Sequence, residues 1–117
     1  MPQYLVLVFE DEAPYADPPT MENAGRNHAA FIEANGAVLR GGNAVLPSFT
    51  ARSVRRDNGR LMVGDGPWRS GGEAFCGYYV LEADDIDAAT AVAEQVPAPF
   101  GGVEVREIRP SPIQTSA

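Results

Sequence analysis

The chain has 117 residues, enough for one domain with a core of its own and too few for two. Sixteen acids against nine bases give a net charge of −7, and every base is arginine. That balance excludes a nucleic-acid or anionic-membrane binder, whose phosphate contacts need a positive surface. A single cysteine, Cys76, forbids an internal disulfide. The opening MPQYLVLVFEDE lacks a basic leader segment, and its apolar run is too short for a signal or a membrane span, so a cytoplasmic protein is expected.

Residues 3–9 form an unbroken apolar run rich in Val and Tyr, which predicts a central strand covered on both faces. Residues 10–19 read as a loop of acids and prolines. Thr20 is then placed to cap a helix beginning at Met21, with Met21, Ala24, His28, Phe31 and Ile32 on one face and Gly36 just past its end. A short strand, a Gly41-Gly42 break and a second extended piece fill 37–46. Asn58-Gly59 between residues 50–57 and 60–63 is the strongest hairpin signal in the chain. Asp65-Gly66-Pro67-Trp68 is a turn, followed by a flexible Ser70-Gly71-Gly72. Residues 77–82 predict another strand. Asp84 caps a second helix with the stripe Ile86, Ala89, Ala93 and Val96, and three aspartates in its first turn suit the helix dipole. Residues 103–108 are the last strand, and 110–117 a flexible C-terminal tail to a domain of residues 1–109.

The order β-α-β-hairpin-β-α-β predicts an α+β sandwich of ferredoxin-like kind. Two helices cover only one face of such a sheet, while the first strand is apolar on both. A second copy of the same sheet is the simplest cover, which predicts a homodimer.

Asp65-Gly66-Pro67-Trp68, Gly77-Tyr78-Tyr79 with its strand, the Asp84 helix and Gly102-Val103-Glu104-Val105-Arg106 resemble, in that order, the YCII-related or DGPF-domain family. Tyr4-Leu5-Val6-Leu7 with Glu10-Asp11-Glu12, Gly36-Ala37-Val38-Leu39 and Leu46-Pro47 extend the likeness over residues 3–109. The resemblance implies a dimeric α+β barrel. It also implies a choice of roles, since some members look like cofactor-free lyases and others occur beside or fused to extracytoplasmic sigma factors. Trp68 stands where the family usually has Phe, and Arg69-Ser70-Gly71-Gly72-Glu73 keeps only the final acid of the run that follows. A branch of the family carries a His-Asp pair, but its histidine position falls here on Gly25 or Arg26, and no Asp follows Gly36. That pair is not carried over.

His28 is the one imidazole and lies on the apolar stripe, where it is either a packed core histidine or a general base. Asp65 closes its own turn or orients that base, and Glu10 is the alternative orienter. Trp68 beside two glycines either plugs the core or walls a small-molecule site. Arg52, Arg55, Arg56, Arg60 and Arg69 against Asp57 and Asp65 give residues 52–69 a charge of +3, leaving −10 on the rest. Arg52 or Arg69 would hold an anionic ligand, unless the strip is only a solvated hairpin face. Glu10-Asp11-Glu12 lacks the further oxygen ligands of a calcium or magnesium loop, and one His with one Cys excludes a zinc site of those residues alone. No metal or cofactor is expected, and Cys76 reads as a packed thiol. These groups suit proton transfer, elimination or isomerisation on a small cyclic or aromatic metabolite. The alternative is a non-catalytic regulatory or accessory module, such as a sigma-factor partner, docking through the acidic surface.

Overall fold

The computed structural model describes residues 1–110; the tail expected over 110–117 lies outside them but for Pro110. The chain runs β1 (Gln3–Glu10), α1 (Pro18–Ala34), β2 (Leu39–Ala44), β3 (Arg52–Asp57), β4 (Arg60–Asp65), β5 (Ala74–Glu82), α2 (Ile86–Ala93) and β6 (Gly101–Glu107), with short 3-10 turns at Ala13–Ala16 and Ser48–Thr50. β2, β5, β1 and β6 form, in that order, a four-stranded sheet whose neighbours are all antiparallel. That order is compatible with a ferredoxin-like α+β fold. β3 and β4 form a separate two-stranded sheet inserted between β2 and β5.

β1 is central, and its side chains alternate: Tyr4, Val6, Val8 and Glu10 are buried, and Leu5, Leu7 and Phe9 only half-buried. The first set meets Phe31 of α1, Leu81 of β5, and Ala89, Ala93 and Val96 of the α2 region in one core. The small alanines of α2 let that helix lie close on the sheet. Leu5, Leu7 and Phe9 pair across the other face with Val80, Tyr78 and Phe75 of β5, and among the described residues they stay only half-buried.

The capping residues differ from those expected. Asp17, one turn earlier than a Met21 start would need, caps α1 by accepting from the Thr20 amide at 3.3 Å. Pro18 and Pro19 then occupy the first turn, where no intrahelical N–H is required and a fixed φ helps. Thr20 is inside the helix and donates its hydroxyl to the same carboxylate at 2.7 Å. α2 is capped by Asp85 and not Asp84, its side chain accepting from the Ala88 amide at 2.8 Å. Helix ends shift because several neighbouring residues can cap, and the tertiary path chooses among them. Met21, Ile32 and Ile86, expected on the buried stripes, are about half exposed.

Asn58 at φ 49° and Gly59 at φ 80° make the two-residue turn that joins β3 to β4, as their sequence predicts. β2 is one strand with a register shift between Leu39 and Gly41 rather than two pieces. β5 and β6 begin earlier than expected, at Ala74 and Gly101. No helix among the described residues is long and apolar enough to cross a membrane.

Candidate functional site

Polar side chains collect between α1 and the sheet, toward the end of the sheet where β1 stops. Glu10, the last residue of β1, is 3% exposed. A carboxylate so buried needs donors, and it has them: the Tyr15 hydroxyl lies 2.8 Å from both oxygens, and the Phe100 amide donates at 3.0 Å. The Tyr15 ring stands edge-on to Phe100 at 5.3 Å, so the same contact is apolar on one side and polar on the other. Burial and the adjacent carboxylate push the Tyr15 phenol far above its usual range, which keeps it a donor. The Asp11 amide bonds the Phe100 carbonyl at 3.0 Å, tying the start of β6 to the end of β1.

Gly101 permits that junction. A Cβ built there would fall on the Phe9 carbonyl oxygen and sit 2.9 Å from Glu10 Cα. Cys76 completes the cluster: its Sγ lies 3.4 Å from the Val8 carbonyl and 3.9 Å from Glu10 Oε1. Burial, with Glu10 next and Glu12 after it, raises the thiol to about 11, so it is inert at neutral pH.

His28 sits two-thirds of the way along α1. Its Nδ1 lies 2.7 Å from the Tyr79 hydroxyl, the two rings stacked at 5.9 Å. Phe31, one turn on, also packs on Tyr79, its ring centre 4.9 Å away and tilted by 60°. The Tyr79 ring also crosses Gly42, where a Cβ would come within 2.8 Å of it. Burial lowers the pKa of His28, while the Glu10 carboxylate and the Pro97 carbonyl pull it up. Burial raises that of Tyr79. At neutral pH the pair is therefore a neutral imidazole against an un-ionised phenol. In the tautomer with the proton on Nε2, Nδ1 accepts the Tyr79 hydrogen. A cleft of about 60 Å³ opens between α1 and the segment before β6, lined by Tyr15, Thr20, Ala24, Asn27, Pro97 and Phe100, and His28, Tyr79 and Glu10 are not among its walls.

The structure brings Glu10 and His28 to one side of the sheet and couples them through charge. The bond that orients His28 comes from Tyr79 and from neither Glu10 nor Asp65. Asp65 ends β4, its carboxylate 88% exposed and 3.4 Å from Arg52 Nε, an ion pair in place of a self-closed turn. Trp68 is 57% exposed and neither plugs the core nor walls the cleft within this chain. The Arg55 guanidinium carbon lies 3.7 Å from the centre of its ring, and the guanidinium donates to its carbonyl. Arg69 follows it, also exposed. Arg52, Asp65, Trp68 and Arg69 thus belong to the hairpin and its exit, apart from Glu10 and His28. The acidic run is divided too: Asp11 accepts from the Ala13 amide, and Glu12 from the Ser48 amide and hydroxyl. Among the described residues no three His, Cys, Asp or Glu side chains gather as metal ligands.

Sequence reasoning passed over Tyr15 and Tyr79. Tyr79 reads as one more apolar strand residue, yet it shares the helix-facing side of β5 with Leu81, opposite the only histidine. Tyr15 is the lone aromatic in an acidic loop, a signal that a nearby carboxylate has a phenol to meet.

No curated protein matches the sequence. The profile of the YCII-related domain matches residues 3–112, which takes in both helices, all six strands and the buried polar cluster. The chain belongs to the YCII-related domain family.

Proposed function

We propose that this protein is a homodimeric small-molecule-binding protein that moves a proton through His28, acting without a cofactor as a lyase or isomerase on a small cyclic or aromatic metabolite. The observation that carries this reading is the 2.7 Å contact between His28 Nδ1 and the Tyr79 hydroxyl. The lowered pKa keeps His28 neutral at working pH. Its Nδ1 is filled by the Tyr79 hydroxyl, so the proton moves in relay: the Tyr79 oxygen takes the substrate proton as its own passes to Nδ1, and the reverse transfer returns a proton to the product. Glu10 supplies negative charge that favours the imidazolium as it forms. Arg52 or Arg69 on the hairpin would hold the anionic part of a ligand, with Trp68 as its wall, while Asp65 is engaged with Arg52. The apolar, half-buried sheet face of Leu5, Leu7, Phe9, Tyr78 and Val80 supports the dimer, since a second copy would cover it.

The test is solvent-deuterium incorporation into a panel of small cyclic and aromatic carbon acids, followed by NMR. Exchange at one carbon position that falls about 100-fold or more in His28→Gln supports the reading. Exchange that His28→Gln leaves intact removes His28 from the mechanism, and absence of exchange across the panel refutes the proton-transfer role. One observation favours a non-catalytic accessory module instead. The cleft of about 60 Å³ is well below the roughly 300 Å³ at which ligand pockets begin. The same assay separates the two readings.

A further inference from the structure

Asparagine is followed by glycine twice in this chain, at Asn35-Gly36 and at Asn58-Gly59. Such a pair is open to loss of ammonia, because a glycine nitrogen carries no neighbouring side chain to hinder its approach to the carboxamide carbon. The fold treats the two pairs differently. Asn35 closes α1 as its C-cap. Its Nδ2 donates to the Phe31 carbonyl at 3.0 Å and to Gln95 Oε1 at 3.1 Å, which ties the side chain to α1 and to the turn after α2. Its own carbonyl accepts from the Val38 amide at 3.0 Å and the Leu39 amide at 3.1 Å. Ring closure at Asn35 must swing the carboxamide and turn the following peptide unit, and each of these bonds opposes it.

Asn58 stands exposed at the tip of the β3–β4 hairpin. Among the described residues neither its carboxamide nor the Gly59 amide nitrogen takes part in a hydrogen bond. A Cβ at Gly59 would meet nothing within 4 Å, so the space around it is open. The hairpin is an arm of the molecule: eleven of its twelve strand residues are exposed, Ser53 being the exception. A lone two-stranded ribbon is marginal in water, so its tip opens locally at little cost. Opening also releases Asn58 from its left-handed φ of 49°. Arg55, Arg56 and Arg60 flank the tip, with Asp57 the one acid among them, and their charge favours an anionic nitrogen there.

We propose that Asn58 is a site of spontaneous deamidation, and that the C-cap of α1 protects Asn35 from the same reaction. The Gly59 nitrogen gives its proton to hydroxide and attacks Asn58 Cγ. The new bond forms as the Cγ–Nδ2 bond breaks, and Nδ2 leaves as ammonia with a proton from water. Water then adds to either carbonyl carbon of the succinimide and breaks its bond to the Gly59 nitrogen. Opening at Cγ leaves aspartate; opening at the backbone carbonyl leaves isoaspartate, whose main chain runs through the side-chain carbon. Either product adds one negative charge, so residues 52–69 fall from +3 to +2. Isoaspartate also lengthens a turn that fits two residues, which breaks the pairing of Asp57 with Arg60.

The full chain is incubated at neutral pH, folded and in urea, and aspartate and isoaspartate at both positions are followed by peptide mapping with electron-transfer fragmentation. Measured against the ratio of the two sites in urea, position 58 should lead position 35 by about tenfold or more in the folded chain, the effect of the bonds that hold Asn35. A folded ratio equal to the unfolded one overturns the proposal, and so does a position 58 that stays intact while the unfolded chain reacts. Gln95→Ala removes one tether from Asn35 at an exposed position and should speed conversion at 35 about threefold in the folded chain. An unchanged rate there refutes protection by that tether.

Discussion

Replacing Gly101 by Ala adds one methyl group where two strands meet. The residue is outside the left-handed region, so alanine's backbone preferences do not oppose the change. Space does. The new Cβ would occupy the Phe9 carbonyl oxygen and press on Glu10 Cα at 2.9 Å, and both are backbone atoms that no rotamer change can move aside. The start of β6 must therefore back away from β1. Two bonds go with it: Asp11 N–H to the Phe100 carbonyl, and Phe100 N–H to the Glu10 carboxylate, each 3.0 Å. A neutral backbone bond contributes about 1 kcal/mol net and a bond to a charged acceptor about 1.5–3 kcal/mol. Removing a glycine offsets this by about 0.5–1 kcal/mol through the unfolded chain. The balance is a loss of about 2–3 kcal/mol, or a melting temperature lower by roughly 8–12 °C at this chain length. Urea and thermal unfolding followed by far-ultraviolet circular dichroism measure it. Gly102→Ala is the control, because nothing lies within 4 Å of a Cβ there. If Gly101→Ala unfolds within about 0.5 kcal/mol of the parent, the close approach is not holding Glu10 in place, and the steric argument fails.

Tyr15→Phe keeps the ring against Phe100 and deletes only the hydroxyl that Glu10 accepts from. It should cost about 1.5–3 kcal/mol in urea unfolding, and a variant as stable as the parent shows the carboxylate has found water instead. His28 gives a pH dependence whose sign is fixed. Its folded pKa lies below the unfolded value near 6.5, so the unfolded chain takes up the proton first as pH falls. Stability is complete above that value and declines as pH drops through it toward the folded pKa. Unfolding midpoints measured from pH 8 to pH 5 should fall more steeply in the parent than in His28→Gln, and parallel curves refute the assignment.

Much of the fold was readable because single residues carried it. Asn58-Gly59 admits one kind of turn, and an apolar run as short as that of β1 admits only a strand. The helix starts were less legible: Asp17 and Thr20 can both cap, and so can Asp84 and Asp85, so local chemistry leaves the choice to the path of the chain. The candidate site was half visible. Glu10 and His28 announce themselves by type, but Tyr15, Tyr79 and the Phe100 amide reach them from 5, 51 and 90 residues away, and periodicity carries no information across such gaps. Trp68 and the arginines were read as one site with His28 because a sequence cannot show that a hairpin stands clear of its own domain.

The guanidinium stacked on Trp68 has a practical consequence for spectroscopy. The chain has one tryptophan, and it rests at the exit of the arm, mostly in water, beneath a cation. Its emission reports how Arg55 sits and what else approaches that turn, while Tyr4, Val6 and Leu81 lie in a core containing no indole. Fluorescence melting curves would then follow the loosening of a surface stack and miss the loss of the sheet. The same geometry makes the native protein self-labelled: any partner or ligand that displaces Arg55 changes the emission, with no probe added.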